Sequence, residues 1–245
     1  MTRLDQYLVE SGQFESRARA QAAVKAGLVR INTIVCEKPA QKLPAGANIE
    51  VNGDVHPYVS RGGVKLDAIL RAMEINASGA IALDLGASTG GFTEVLLAAG
   101  ALKVYAVDVG QRQLHDKLRN DDRVINLEKT HAKDLTRALV PDPIEIIVCD
   151  VSFISLKKAL PPALALATPG ARLAALIKPQ FEVGRARLGK GGIVKPGYEN
   201  SVGVAEDIHA WINTLKGWAS TGFIESPIEG GDGNKEYLIG ATHSA

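Results

Sequence analysis

Residues 80–100 read AIALDLGASTGGFTEVLLAAG, and this stretch indicates the fold. An apolar run precedes a glycine-rich turn, and helical periodicity follows the turn. The glycine spacing, Gly86-x-x-x-Gly90-Gly91, differs from the dinucleotide fingerprint G-x-G-x-x-G. No lysine follows the glycines, which argues against a loop that binds a nucleoside triphosphate. The pattern predicts a strand, a ligand-binding turn and a helix, and glycines that serve only the turn are the alternative.

A second apolar run, LKVYAVDVG at 102–110, ends on an acid. Asp108 follows the glycine loop by about 20 residues, where an acid in a doubly wound sheet can accept hydrogen bonds from both hydroxyls of a ribose. Asp84 lies just before the first glycine. Together the two acids and the glycines indicate a nucleoside-containing cofactor that lies over the strand ends.

The rest of this region alternates between apolar runs and amphipathic segments. This alternation predicts an α/β fold with a doubly wound, mostly parallel sheet and helices on both faces. Besides the strand before the glycine turn, strands are expected near 102–107, 123–127, 144–149, 172–177, 223–228 and 235–241, and helices at about 65–74, 91–99, 111–118, 155–167 and 200–219. Because only EGGDGN separates the last two strands, we expect them to form an antiparallel hairpin at the sheet edge.

Composition excludes several classes of protein. The chain has 245 residues, 46% of them hydrophobic, and its net charge of +1 gives no overall attraction to nucleic acid. Cys36 and Cys149 lie far apart and outside any metal-ligand spacing, so we expect free thiols in a reducing compartment and no metal. Prolines and glycines interrupt the longest apolar stretch, 159–177, so no membrane span is expected. We therefore expect a cytoplasmic location and assume a monomer.

Residues 3–51 follow a different pattern. Two short helices are expected, RLDQYLVESG at 3–12 with Leu4, Tyr7 and Leu8 on one face, and SRARAQAAVKAG at 16–27 with Ser16 as N-cap. An alternating strand, LVRINTIV at 28–35, and a turn-rich link into a strand ending at 51 complete the unit. We predict a small domain at 1–52, a linker at 53–59 and a large domain at 60–245.

Cations cluster on and after the second of these helices, which is typical of an RNA-binding face or of a solvated helix face. The stretch RLDQYLVESG…SRARAQAAVKAGLVRIN resembles the small RNA-binding domain named after the fourth protein of the small ribosomal subunit. That family begins with Arg-Leu-Asp and has the turn and strand that AGLVRIN matches here. The resemblance implies an α+β domain whose cations face RNA phosphate, namely Arg3, Arg17, Arg19, Lys25 and Arg30.

Four ionisable residues stand where packing gives no reason for them. Lys65 lies in the first turn of a predicted helix, Asp150 and Lys178 end apolar strands, and Glu236 opens the last strand. Ligands of open α/β sheets bind at the carboxyl ends of the strands. An antiparallel last strand brings its first residue to that same edge, so we expect the four side chains to converge. A buried ion-pair network that only joins the strand ends is the alternative.

The motif LDLGASTGGFT resembles the S-adenosylmethionine motif of class I methyltransferases, and Lys-Asp-Lys-Glu resembles the tetrad of FtsJ-like RNA 2′-O-ribose methyltransferases. Nearly the whole chain, through VSRGGVKL, CDVSFISL, LIKPQFEVG, KGGIV and GNKEYL, resembles the TlyA/hemolysin A family. This implies a class I, Rossmann-like methyltransferase domain with seven strands behind an RNA-binding domain. It also implies ribosomal RNA or ribosomal subunits as partner, methylation of a cytidine 2′-hydroxyl, and Lys65, Asp150, Lys178 and Glu236 as catalytic residues.

The same resemblance implies which residues contact the cofactor. Those expected are Asp84, Gly86, Ala87, Ser88, Thr89, Gly90, Gly91, Phe92, Thr93, Asp108, Val109, His131 and Asp150. His131-Ala132-Lys133 stands where the family has an Asn-Ala-Arg-like segment, so the adenine contact there is open.

A glycine-rich, cationic segment follows Lys178 closely. The cations of this segment are Arg185, Arg187, Lys190 and Lys195. We expect them and Arg61 to contact RNA phosphate, and a mobile surface loop is the alternative for the segment.

Two other functions remain open from the sequence. One is an RNA-binding or ribosome-assembly factor without turnover, and the other is a membrane-lytic protein.

Overall fold

The computed structural model describes residues 2–14, 16–44, 46–52, 58–183, 201–230 and 234–244. Contacts within the chain divide it into two units, Met1–Pro57 and Tyr58–Ala245.

The first unit packs two helices against a three-stranded antiparallel sheet. The helices are α1 (Leu4–Glu10) and α2 (Arg17–Lys25), and the strands β1 (Val29–Ile31), β2 (Ile34–Val35) and β3 (Ile49–Val51) lie in the order β2-β1-β3. Leu4 and Leu8 are fully buried, whereas Tyr7 is 36% exposed, so the core face of α1 is narrower than predicted. Ser16 caps α2 as predicted, because its hydroxyl accepts the Arg19 N–H at 3.3 Å.

The prediction of one strand across 28–35 is wrong, because the chain turns back in the middle of it. Asn32 and Thr33 have φ values of 49° and 74°, and two successive positive φ angles are the signature of a tight hairpin turn. Ile31 therefore pairs with Ile34 across the turn.

The second unit contains a seven-stranded sheet in the order β6-β5-β4-β7-β8-β10-β9. Its strands are β4 (Ile81–Leu85), β5 (Lys103–Val107), β6 (Val124–Leu127), β7 (Ile144–Cys149), β8 (Ala167–Ile177), β9 (Trp218–Glu225) and β10 (Tyr237–His243). Its helices are α3 (Gly62–Ala72), α4 (Gly91–Ala98), α5 (Asp116–Arg119), α6 (Leu156–Leu164), α7 (Pro179–Glu182) and α8 (Ser201–Thr214), with a 3₁₀ turn at Ala132–Asp134. Strands β4 to β8 run parallel, and β10 is antiparallel to both β8 and β9. The predicted mostly parallel α/β fold and the edge hairpin are confirmed.

Hydrophobic residues on the two faces of the sheet form two separate cores. Leu83, Ile147 and Ile177 pack on one face with α6 and α8, while Ala82 and Val148 pack on the other with α3 and α4. Burial on both faces explains why the central strands read as continuous apolar runs.

Three predicted helices were too long. The one expected at 155–167 ends at Leu164, because β8 already begins at Ala167, five residues earlier than predicted. For the other two, backbone geometry gives the reason. The helix expected at 111–118 is only α5, because Arg112 has a φ of 55° and the His115 ring nitrogen caps the helix by accepting the Lys117 N–H at 3.2 Å. The helix expected to reach 219 ends at Thr214, since Gly217 turns the chain with a φ of 80°. Strand β9 therefore starts at Trp218, five residues earlier than predicted.

Candidate active site

A cleft of about 600 Å³ opens at the carboxyl ends of the central strands. The chain proceeds from β4 to β5 on one side of the sheet and later returns to β7 on the other side of β4. Such a change of direction leaves a crevice above the strand ends, where open α/β sheets bind ligands. Its lining includes Gly86, Ser88, Asp108, Val109, Gln113, His131, Lys133, Asp150, Ser152, Phe153 and Lys158.

Two glycines of the loop after β4 cannot be replaced without a clash. Gly86 has a φ of 89°, and a Cβ there would lie 2.6 Å from the carbonyl oxygen of Asp150. Gly90, the N-cap of α4, has a φ of 97°, and its Cβ would overlap the Leu118 side chain. Positive φ and close approach are the two conditions that require glycine. Gly86 thus lets the loop pass close to Asp150 at the wall of the cleft, whereas Gly90 lets the start of α4 pack against Leu118.

Asp108 joins the loop after β4 to the loop after β5, and both loops border the cleft. Its carboxylate accepts the backbone N–H of Ser88 at 2.8 Å and that of Gly110 at 2.7 Å. A carboxylate offers about four acceptor positions, so the group can hold both loops and still accept hydroxyl donors from a ligand. The sequence predicted the ligand role of this acid but gave no signal of its bonds to the loops.

Asp84 lies behind the cleft and is fully buried. The Thr93 hydroxyl donates to Asp84 Oδ2 at 2.7 Å, whereas Oδ1 has no hydrogen-bond partner among the residues that the structure describes. Burial raises the pKa of Asp84 to about 7, although the bond from Thr93 opposes the shift. Asp84 and Thr93 therefore tie β4 to the first turn of α4.

Several other residues expected to bind the cofactor are absent from the cleft lining, namely Ala87, Thr89, Gly90, Gly91, Phe92 and Thr93.

Lys178 and Asp150 form an ion pair beside the cleft. Each residue directly follows its strand, β8 or β7, and these strands are neighbours in the sheet. The Lys178 ammonium lies 2.5 Å from Asp150 Oδ1 and donates to the Ser152 hydroxyl at 2.9 Å. The two side chains are 12% and 21% exposed, so the pair is largely shielded from water but keeps some accessible surface. Ser152 was not predicted, and only its place two residues after a strand-end acid could have suggested it.

Lys65 and Glu236 form a second, more deeply buried ion pair. They are 171 residues apart in sequence, and their side chains are 9% and 3% exposed. Tyr237 pairs with Ile177 in the antiparallel ladder. The next residue beyond this pair on each strand is Glu236 or Lys178, so these two residues lie opposite each other. The structure therefore brings the four predicted residues to one sheet edge as two ion pairs.

The loop between β7 and α6 carries an unusual aromatic residue. Phe153 has a φ of 66°, is 90% exposed, and its ring centroid lies 5.1 Å from that of Phe181. A left-handed backbone at a bulky residue is strained and marks functional sites. The sequence carries no local signal for this conformation.

The predicted RNA-binding residues of the first unit differ in their contacts. Arg3 and Arg17 each donate at 2.9 Å to Asp5, which is fully buried. The Arg3 guanidinium, helped by Gln21 and Arg17, holds the pKa of Asp5 well below its usual range. Lys25 and Arg30 are exposed and Arg19 is half-buried. Two of the predicted cations thus also stabilise the fold of this unit.

Arg61 is exposed at the N-cap of α3, one helical turn before Lys65. The other four predicted cations, Arg185, Arg187, Lys190 and Lys195, lie outside the described residues.

Within the described ranges, no helix has the length and apolar content needed to cross a membrane. In the same residues, no group of three or more His, Cys, Asp or Glu side chains is placed to hold a metal ion. Cys36 and Cys149 are free and buried, and burial raises the pKa of the Cys149 thiol.

Comparison with known proteins assigns both units. Residues 58–243 match the FtsJ-like methyltransferase family, and residues 2–49 match the S4 domain. The 16S/23S rRNA (cytidine-2'-O)-methyltransferase TlyA of Mycobacterium tuberculosis is 41% identical over 97% of this chain and 88% of its own length. Hemolysin A of Brachyspira hyodysenteriae is 42% identical over 96% of this chain and 98% of its own.

A solved structure from Streptococcus thermophilus is 38% identical to this chain. Its TM-score is 0.76, and the match covers 99% of this chain and 88% of that one. These identities extend over both units, as the sequence motifs predicted. The chain belongs to the FtsJ-like methyltransferase family and, within it, to the TlyA/hemolysin A group.

Proposed function

We propose that this protein transfers a methyl group from S-adenosylmethionine to the 2′-hydroxyl of a cytidine ribose in ribosomal RNA. The observation that carries the proposal is the Lys178–Asp150 ion pair, 2.5 Å long, at a cleft walled by the glycine loop and Asp108. A basic side chain beside a nucleoside-sized cleft is what methylation of a weakly nucleophilic hydroxyl requires. The name of the Mycobacterium tuberculosis relative, an rRNA (cytidine-2'-O)-methyltransferase, supports the nucleotide and the atom.

The residues of the cleft fit S-adenosylmethionine. The space of about 600 Å³ lies within the usual range for small-molecule sites. The glycine turn brings the backbone of Gly86 and Ser88 to the cleft, and Asp108 supplies acceptors for ribose hydroxyls. Val109, 60% exposed in the cleft, offers apolar surface to an adenine ring. When bound, the cofactor supplies an electrophilic methyl group on a sulfonium.

Lys178 has the central role in the proposed reaction. We assign it the contact with the target 2′-hydroxyl, whose proton it accepts directly or by relay. An acceptor lysine enters this step as a neutral amine and leaves it as an ammonium, which the Asp150 carboxylate then neutralises. If the lysine is already charged, it instead stabilises the developing alkoxide, and the hydroxyl proton leaves to water. In both cases Asp150 and Ser152 orient the Nζ atom.

Lys65 and Glu236 support the same edge of the sheet. Their buried contact joins α3 to the start of β10, next to the strand that carries Lys178. A buried pair of this kind costs stability when one member is removed, because the other charge is left unpaired. We therefore assign both residues to the network that holds the reacting lysine.

We also propose that residues 1–52 bind the RNA, that 53–59 link the domains and that 60–245 carry out the reaction in the cytoplasm. The S4 match and the division of contacts between Pro57 and Tyr58 support this organisation. The exposed cations Lys25, Arg30 and Arg61 suit phosphate contacts, which position RNA without reading its sequence.

The deciding experiment is mass spectrometry of ribosomal RNA from cells with and without the gene. A cytidine that carries a 2′-O-methyl group only when the gene is present is the expected result. Purified Lys178→Ala should transfer methyl groups to ribosomal subunits about 100-fold more slowly or worse, with cofactor binding retained. Lys216→Ala, an exposed lysine, is the matched control. Identical RNA from both strains, or near-normal turnover by Lys178→Ala, would count against the proposal.

A further inference from the structure

The segment that follows the reacting lysine is too short to hold its own shape. Lys178 is the N-cap of α7, and this helix has only four residues, beginning with Pro179. Helices of this length are unstable without tertiary contacts. The direction of the chain at Lys178 therefore depends on what α7 is attached to.

Glu182, the last residue of α7, is attached to the beginning of α6. Its Oε1 accepts the backbone N–H of Leu156 at 2.8 Å, and its Oε2 accepts the hydroxyl of Ser155 at 2.5 Å. Ser155 is itself the N-cap of α6, and its Oγ accepts the Lys157 N–H at 3.2 Å. A carboxylate at a helix N-terminus satisfies unpaired N–H groups and interacts favourably with the helix dipole.

Within the described part of the chain, this contact is one of four that join the loop after β7 to residues 178–183 after β8. The others are the ion pair of Lys178 with Asp150, the bond from Lys178 to Ser152, and the ring contact of Phe153 with Phe181. Asp150 and Ser152 belong to the same short connection that leads into α6. Anchoring Glu182 to α6 therefore fixes both sides of the Lys178 contacts at once.

We propose that Glu182 is a positioning residue for Lys178, which it holds against Asp150 and Ser152 by anchoring α7 to the N-terminus of α6. The inference rests on the proposed function, in which Lys178 contacts the target hydroxyl. Misplacement of a reacting group by about 1 Å can reduce turnover by about 100-fold, so a remote anchor can control the rate. Glu182 itself need not touch the substrate.

The test compares Glu182→Ala, Glu182→Gln and wild type as full-length chains, with Glu206→Ala on the exposed face of α8 as the matched control. Glutamine can still accept the Leu156 N–H and donate to Ser155, so it should restore most of the function. We expect Glu182→Ala to lower kcat between about 10-fold and 100-fold while KM for ribosomal subunits and affinity for S-adenosylmethionine change less than about twofold. Glu182→Gln should stay within about threefold of wild type.

A second measurement does not depend on activity. Labelling by an amine-reactive ester, read by mass spectrometry, should rise several-fold at Lys178 in Glu182→Ala and remain unchanged at Lys65. If Glu182→Ala does not fold, Ser155→Ala removes one of the two bonds of the anchor from the other side and should raise the Lys178 labelling in the same direction by a smaller factor.

Wild-type kcat and unchanged Lys178 labelling in folded Glu182→Ala would overturn the inference. A rise in KM with unchanged kcat would also overturn it, by assigning Glu182 to RNA binding. If wild type transferred no methyl group, the proposed function would fail, and the labelling would still decide whether Glu182 positions Lys178.

Discussion

Replacing Asp108 by asparagine tests whether this acid organises the cofactor cleft. The carboxylate accepts two backbone N–H groups, from Ser88 at 2.8 Å and from Gly110 at 2.7 Å. Asparagine has the same shape but only one acceptor oxygen, so its NH₂ group must face one of the two N–H donors. At least one of the two loops is then released.

The magnitude follows from the bond that is lost. A hydrogen bond to a charged group contributes about 1.5–3 kcal/mol. If the released loop must be reordered each time the cofactor binds, this free energy is subtracted from binding. Since 1.4 kcal/mol corresponds to a factor of ten, the dissociation constant for S-adenosylmethionine should rise between about 10-fold and about 150-fold.

The assay is isothermal titration calorimetry with S-adenosylmethionine on wild type, Asp108→Asn and Asp116→Asn. Asp116, on α5, has a side chain that is 81% exposed, so the control removes a charge from the same region without touching the loops. Near-ultraviolet circular dichroism should show that all three proteins are folded. Binding by Asp108→Asn within about twofold of wild type would refute the reasoning, because the loops would then keep their geometry without the carboxylate.

Three further results are expected. Gly90→Ala should lower the free energy of unfolding by about 3 kcal/mol, because alanine must adopt a positive φ and its Cβ overlaps Leu118. The control Gly79→Ala has a φ of 74° in open space, so it should lose only the part of this free energy that comes from the positive φ. Equal losses of the two variants in denaturant titration would exclude a contribution from the overlap. Because the folded pKa of Asp5 is lowered, its contribution is present above a pH of about 4 and is lost as the pH falls further. Hydrogen exchange of the full-length chain should therefore show residues 2–52 less protected in Asp5→Asn at neutral pH, and a difference that does not shrink as the pH falls below about 4 would contradict this. The folded pKa of Asp84 is raised to about 7, so wild type should lose stability relative to Asp84→Asn as the pH rises from about 4 to about 7, and a constant difference between their melting temperatures would argue against the shift.

Local sequence patterns were sufficient for the elements that neighbouring residues determine. The apolar run of β4, the turn at Gly86 and the helix after Gly90 depend on periodicity and on backbone freedom within a few residues. Ser16 as an N-cap and the antiparallel final hairpin depend on equally local features. The residue types of the tetrad also indicate its chemistry without reference to the fold.

The predictions of local conformation were wrong where one or two residues with positive φ changed the direction of the chain. The hairpin at Asn32 and Thr33 and the shortened α5 after Arg112 depend on positive φ values at non-glycine residues. Such residues adopt the left-handed region only when surrounding contacts compensate its cost. Sequence patterns do not contain those contacts.

The sequence by itself determined the fold class, the ligand-binding turn and the identity of the charged residues at the strand ends. Only the tertiary structure decided which charges pair: Lys178 with Asp150 and Ser152, and Lys65 with Glu236 from 171 residues away. It also decided that Asp108 holds two loops and that Glu182 anchors the segment after Lys178. The physical reason is that local preferences act over a few residues, whereas ion pairs depend on the order of strands in the sheet, which brings distant residues within bonding distance.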